Sequence, residues 1–93
     1  MQYSNRDPCY LYILYSDKLE KYYTGISRDP EERLLYHNTS QKGWTKRGRP
    51  WKLIFTLEFS DRISAQRAER FVKSQKSKGF IKKLISGEYH IQT

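Results

Sequence analysis

Residues 10–27 read Tyr10-Leu11-Tyr12-Ile13-Leu14-Tyr15, then a polar stretch from Ser16 to Lys21, then Tyr22-Tyr23-Thr24-Gly25-Ile26-Ser27. The first six residues are aromatic or aliphatic without a break. A run of that length between polar flanks suits a strand with both faces covered. The polar stretch is a turn, and 22–27 is the return strand of a hairpin. With Tyr15 facing Tyr22, Tyr12 falls opposite Gly25. Period-2 alternation then puts Tyr12, Leu14, Tyr23 and Gly25 on one face. A glycine opposite a tyrosine predicts open space beside the ring, where another backbone or a ligand comes close.

Working outward, Asp29-Pro30-Glu31-Glu32 is a helix start. Aspartate suits the N-cap, proline the first helical position, and the two glutamates the positive end of the dipole. The helix runs to Tyr36 or His37, with Asn38 near its C-cap, and places Arg33 and His37 four residues apart on one face. Residues 39–50 form a loop rich in Gly, Ser, Thr and basic residues. Trp51 to Phe59 alternates only loosely and reads as a third strand, with Trp51 in the core. Asp61 or Ser60 caps a second helix whose narrow apolar stripe is Ala65, Ala68 and Val72, interrupted at Gly79. Phe80 to Ile85 is a short final helix with Ile81, Leu84 and Ile85 inward. Residues 1–8 are a loose polar lead-in, and the tail from Ser86 is polar and frays. The fold class expected is α/β of the α+β type: a small three-stranded, mostly antiparallel sheet flanked by helices. One domain spans 1–93, with its core at about 10–85, and neither a repeat nor an interdomain linker is visible.

The 93 residues carry 18 basic and 10 acidic side chains, a formal net charge of +8. That excess favours an anionic partner, nucleic acid before a membrane surface. A single cysteine, Cys9, precludes an internal disulfide and suits a reducing compartment. The N-terminal MQYSNRDP lacks the apolar segment of a signal peptide, and no run is long or apolar enough to span a bilayer. A cytoplasmic protein is expected. No zinc spacing, P-loop, dinucleotide fingerprint or serine-nucleophile motif is present.

The triplets Tyr10-Leu11-Tyr12 and Tyr23-Thr24-Gly25, followed by a helix bearing Arg33 and His37, resemble the core of the GIY-YIG nuclease family. The likeness runs from about Tyr10 to about Ile85. It is greatest to the small single-domain bacterial members that resemble the N-terminal nuclease domain of the UvrC repair subunit. Tyr10, Leu11 and Thr24 depart from the namesake triplets. The resemblance implies metal-dependent hydrolysis of a DNA phosphodiester, with Tyr12, Tyr23, Arg33, His37 and Glu69 as the catalytic set. Glu69, in Ala68-Glu69-Arg70, matches the family's metal-binding glutamate, and Mg²⁺ or Mn²⁺ is the cofactor implied.

The residues themselves are consistent with that chemistry. Tyrosine, with a pKa of about 10, is a poor base unless nearby positive charge lowers it. Arg33 is placed to supply that charge or to clamp a phosphate oxygen. Glu69 can hold one hard cation through oxygen, and after Asp61 the only other acid is Glu88, which argues for one ion rather than two. Each residue also has an ordinary alternative role. Tyrosine favours strands, Arg33 can pair with Asp29 or Glu32, and a histidine suits a helix C-terminus. Glu69 stands four residues before Lys73, the stabilising order for a helix ion pair. The ordered set outweighs these single-residue roles.

Two basic segments are candidates for the nucleic-acid surface. Lys42, Trp44, Lys46, Arg47 and Arg49 lie in a stretch with no acid between Arg33 and Leu57, and Lys73 and Lys76 begin the second. Lysine and arginine there bring affinity and salt dependence without sequence choice; Trp44 could stack on a base.

The function expected is a divalent-metal-dependent DNA endonuclease with a possible place in repair or recombination, Tyr12 the general base and Tyr23 holding water or a phosphate oxygen. The two tyrosine roles are interchangeable at this level. The alternative is a non-catalytic nucleic-acid-binding module on the same fold, and a third reading is a protein–protein adaptor. DNA is the expected partner, with RNA left open. Loops or a partner protein would supply specificity, and a monomer or weak dimer is expected.

Overall fold

A computed structural model describes residues 7–93. The lead-in expected over 1–8 therefore lies outside the described residues, apart from Asp7 and Pro8. The three strands are β1 (Cys9–Ser16), β2 (Lys21–Ser27) and β3 (Trp51–Phe59), and the helices are α1 (Pro30–Thr39), α2 (Arg62–Gln75) and α3 (Lys78–Ser86). The sheet is antiparallel throughout, in the order β2-β1-β3. The central place of β1 explains its unbroken apolar run. Cys9, Leu11 and Ile13 face Ala65, Ala68, Val72 and Leu84 from α2 and α3. Tyr12 and Leu14 point the other way, toward Trp51, Tyr23 and Leu34.

The β1–β2 register sets Tyr15 opposite Tyr22 and Tyr12 opposite Gly25, as the hairpin reading requires. A Cβ built on Gly25 would lie 2.6 Å from Tyr12 Oη and 2.7 Å from Cζ, so the glycine lets the tyrosine ring lie directly against β2. Open space remains beside the ring, because Tyr12 and Gly25 both line a surface cavity.

The loose alternation of β3 has a structural cause. Ile13 pairs with Phe55 but Leu14 pairs with Leu53, so the register shifts there and Ile54 is the extra residue of a bulge. A one-residue slip exchanges the two faces. Phe55, Leu57 and Phe59 consequently join the core under α2, while Trp51 and Leu53 join Tyr12 and Leu14 on the opposite face. One strand thus feeds both sides of the sheet.

The helix ends correct several expectations. Asp29 caps α1, its side chain accepting from Glu32 N at 3.1 Å, but the helix continues to Thr39 and Ser40 is its C-cap. Asn38 instead bridges to β3: its Oδ1 accepts from Trp51 N at 2.7 Å and its Nδ2 donates to Trp51 O at 3.1 Å. Asp61 caps α2 by accepting from Ser64 N at 2.7 Å. That helix ends at Lys76, which is left-handed at φ 47°, and not at Gly79, which lies inside α3. Residues 44–48 form a 3-10 turn within what reads as a plain loop. Beyond α3 the chain has no regular structure, yet the tail is held: Tyr89 stacks on Phe71 and meets Phe80 edge-on, and Ile91 packs on the core. Fraying from Ser86 is not what the structure shows. No described helix is long and apolar enough to cross a membrane.

Candidate functional site

The hairpin, α1 and α2 enclose a polar cavity of about 500 Å³. Tyr12 and Tyr23 come to it from β1 and β2, Arg33 from α1 and Glu69 from α2. Four of the five residues singled out as catalytic candidates therefore share one concave surface. Three local features put them there. The hairpin register places both tyrosines on one face, the Asp29–Pro30 start orients the first turn of α1, and the Ala65–Ala68–Val72 stripe fixes the rotation of α2. Glu69 follows the buried Ala68 and stands at the edge of the packed face, its side chain 22% exposed.

His37 occupies a different position. It is buried behind the tyrosines, not among the residues lining the cavity. Its Nε2 lies 3.2 Å from Tyr12 Oη and its Nδ1 lies 3.1 Å from Thr45 Oγ1. The Tyr23 ring stands 4.6 Å from the imidazole, centroid to centroid. Burial, with a further push from the Arg33 charge, holds the imidazole pKa below its ordinary value. Histidine in this position is neutral near pH 7 and carries one donor and one acceptor nitrogen.

Tyr12 does not have the lowered pKa expected of a tyrosine beside an arginine. Burial raises it, and Arg33, acting through a hydrogen bond and its charge, offsets that only in part. Desolvation disfavours the phenolate more than one guanidinium restores it. The Tyr12 hydroxyl sits over Gly25, and both residues line the cavity.

The cavity also contains residues that the sequence reading left out. Arg62, Gln66 and Glu69 recur at helical spacing along one side of α2, and Arg28 precedes the cap of α1. The spacing of 62, 66 and 69 is the signal the sequence carries for them, since it puts Arg62 and Gln66 on the side of α2 that bears Glu69. Asp29 and Glu32 line the opposite rim.

Glu69 has an immediate neighbour in Lys73, at 3.1 Å from Nζ to Oε2. Among the described residues, no three His, Cys, Asp or Glu side chains gather into a metal-binding group. Glu69 is a single carboxylate of the kind that could hold a hard cation which keeps most of its water. Lys73 is 55% exposed, so its long side chain can yield the carboxylate oxygen at small cost.

The basic segments part company in the structure. Lys42, Lys46 and Arg47 are exposed. Arg49 is turned onto its own loop and the end of α1, Nε donating to Lys46 O at 3.1 Å and Nη1 to Asn38 O at 3.4 Å. Trp44, Lys73 and Lys76 converge instead on a second cavity, which has Tyr23 in common with the first. Cys9 is buried in the core and its thiol pKa is pushed up by that burial, which keeps it unreactive.

Comparison with known proteins gives the family of the chain. A family model for the GIY-YIG catalytic domain matches residues 8–84. The chain is similar to the UPF0213 protein BH0048 from Bacillus halodurans, known from a solution NMR structure. The two share 31% sequence identity, with 85% of this chain and 83% of that chain covered and a TM-score of 0.54. No curated protein matches the chain.

Proposed function

The chain belongs to the GIY-YIG nuclease family, and from that premise we propose that it is a DNA endonuclease dependent on one Mg²⁺ or Mn²⁺ ion. The observation that carries this reading is the polar cavity in which Tyr12, Tyr23, Arg33 and Glu69 meet. Glu69 would hold the ion. When bound, the ion would neutralise phosphate charge and make a water more acidic.

The remaining work falls to the chain's own side chains. Arg33 offers a planar fork of donors to a non-bridging phosphate oxygen, and Arg28 and Arg62 add positive charge around the same cavity. Tyr12, neutral at pH 7, can take a proton from water only by passing on its own. The neighbour able to receive it is His37 Nε2 at 3.2 Å. Arginine is a donor only, so Arg33 occupies a lone pair of the phenol and leaves its O–H for the imidazole. In that tautomer His37 Nδ1–H donates to Thr45 Oγ1, which holds the ring in place. The general base is then Tyr12 backed by His37, the familiar logic of a weak acid paired with an oriented base. Tyr23, more exposed than Tyr12, orients the water or a phosphate oxygen.

The alternative reading, a nucleic-acid-binding module without catalysis, has one observation in its favour: Lys73 already neutralises Glu69. A single panel separates the two. Nicked, flapped, branched and linear DNA are incubated with Mg²⁺, with Mn²⁺ and with EDTA, using wild type and Glu69→Gln. Cleavage by wild type with either ion, abolished by EDTA and by Glu69→Gln at unchanged DNA affinity, is the expected result. Wild-type rates in Glu69→Gln would remove Glu69 from the site, and no cleavage of any substrate would favour the binding module. The substrate preferred in the panel also tests a role in repair or recombination.

A further inference from the structure

The second cavity, of about 340 Å³, has features that phosphate binding alone does not require. Its wall includes Tyr22, Tyr23, Trp44, Lys73 and Lys76. Trp44 is 48% exposed, yet its ring is not loose. It meets Trp51 edge-on at 5.8 Å and 81°, and Tyr23 at 6.1 Å and 57°. The turn it begins is pinned through the next residue. Trp51 Nε1 donates to Thr45 O at 2.6 Å, and Thr45 Oγ1 is bonded to His37. Gly48 closes the same turn so tightly against Trp51 that a Cβ there would fall 2.6 Å from the indole. An indole held in one orientation with half its surface in water, on a cavity wall shared with Lys76 and with Lys73, whose exposed ammonium is paired with Glu69, is a stacking shelf with basic neighbours. Aliphatic partners would gain nothing from the lysines, and a bare anion nothing from the indole.

We propose that this cavity is a nucleobase subsite for unpaired DNA, in which a nucleotide next to the scissile phosphate lays its base on Trp44 and its phosphate against Lys73 and Lys76. The proposal rests on the nuclease reading for the word scissile, but the subsite itself is defined by binding. Tyr23 lines both cavities, so a base on the shelf and a phosphate beside Arg33 and Glu69 are neighbours. A base inside a duplex has both faces covered and reaches the shelf only after unstacking. The substrate class favoured is therefore DNA with unpaired nucleotides at the cut: single strands, flaps or frayed ends.

The test is equilibrium binding in EDTA, which removes cleavage from the readout. The full chain, Trp44→Leu and Trp44→Phe are titrated with a short unpaired oligodeoxynucleotide, with its duplex, and with the same strand carrying abasic positions. Base–aromatic stacking corresponds to about ten- to a hundredfold in affinity. Trp44→Leu should lose about that factor on the unpaired strand and little on the duplex, and Trp44→Phe should keep most of it. Wild type should bind the abasic strand about as weakly as Trp44→Leu binds the normal one. The indole fluorescence of wild type should change on binding the unpaired strand, and that change should vanish in Trp44→Leu. Equal losses on single strand and duplex, or none, would overturn the subsite, as would unaltered binding of the abasic strand. Tighter binding of the matching RNA strand would overturn the assignment to DNA. None of these outcomes depends on cleavage, so failure of the nuclease reading in the metal panel is recognised separately.

Discussion

The smallest features of the site set its tightest limits. Gly25 has no side chain because the Tyr12 ring occupies the volume a Cβ would need. Gly25→Ala should therefore displace Tyr12 from His37 and lower cleavage by about tenfold or more. Overpacking of this kind costs about 1–3 kcal/mol, so the domain should still fold, with a reduced melting temperature. Undiminished cleavage by a folded Gly25→Ala variant would show that the position of the Tyr12 hydroxyl does not matter. Two buried titrating groups at the site, His37 and Tyr12, also shape stability against pH. His37 has a folded-state pKa below its ordinary 6.5, so the unfolded chain takes up the proton first as pH falls. Stability is present above pH 6.5 and is lost as pH falls through the folded value. Tyr12 acts at the other end. Its pKa is raised above 10, so stability is present below pH 10 and is lost as pH rises through the folded value. Thermal melts across the acid window should show the decline in wild type and a smaller one in His37→Gln, whose amide does not titrate. Identical pH profiles would mean that the imidazole titrates alike in both states.

At the level of single elements, the junction of α2 and α3 is one of two places among the described residues, with Glu20, where a residue other than glycine takes a positive φ. Lys76 is left-handed at φ 47° and ψ 42°, a region that costs a residue with a Cβ about 1 kcal/mol. Lys76→Gly should raise stability by roughly that amount, seen as a higher denaturation midpoint at unchanged slope. The same change removes one of the two ammonium groups from the shelf cavity, so DNA affinity should fall as stability rises. A lysine kept at an uncomfortable backbone position, against a stability gain open to glycine, is what a binding role predicts. Loss of stability in Lys76→Gly would mean that the lysine side chain, and not the backbone, decides that turn. The bulge at Ile54 belongs to this scale too. It turns one alternating strand into a partner for both cores, and that is how Trp51 comes to support the turn carrying Trp44.

Across the whole molecule, positive charge is distributed by the packing of distant segments. The loop before β3 and the end of α2 are about thirty residues apart in sequence, and they meet around Tyr23. Lys46 and Arg47 remain in solvent, but Arg49 is engaged with one carbonyl of the loop and one of α1. Each neutralised phosphate contributes about −0.9 to the log–log slope of affinity against salt. Replacing Lys46, Arg47 and Arg49 together by alanine should flatten the slope for duplex DNA by roughly two contacts, about 1.8, rather than by the three that their sequence positions suggest. A change of three would show that Arg49 leaves the loop on binding. An unchanged slope would move the phosphate-binding surface to the α2 end and the α3 lysines.

What the sequence determined by itself is local. The hairpin register follows from an apolar run, a polar turn and a return strand, and it alone puts Tyr12 opposite Gly25 and on the face of Tyr23. Asp29 and Pro30 start α1, and the alanine–valine stripe orients α2 with Glu69 at its edge, because caps and periodicities act over a few residues. The three-stranded sheet and the family resemblance were legible for the same reason. The tertiary structure decided what depends on contacts between segments far apart. It withdrew His37 from the cavity to a place behind Tyr12, since burial depends on what covers the far side of α1. It raised the Tyr12 pKa where proximity to Arg33 alone suggests lowering, because desolvation is a property of the whole surroundings. It placed the bulge in β3, joined Arg62 and Gln66 to Glu69 in the cavity, turned Arg49 inward, and set Trp44 beside Lys73 and Lys76. Sequence spacing specifies which residues share a face; only packing specifies what that face meets.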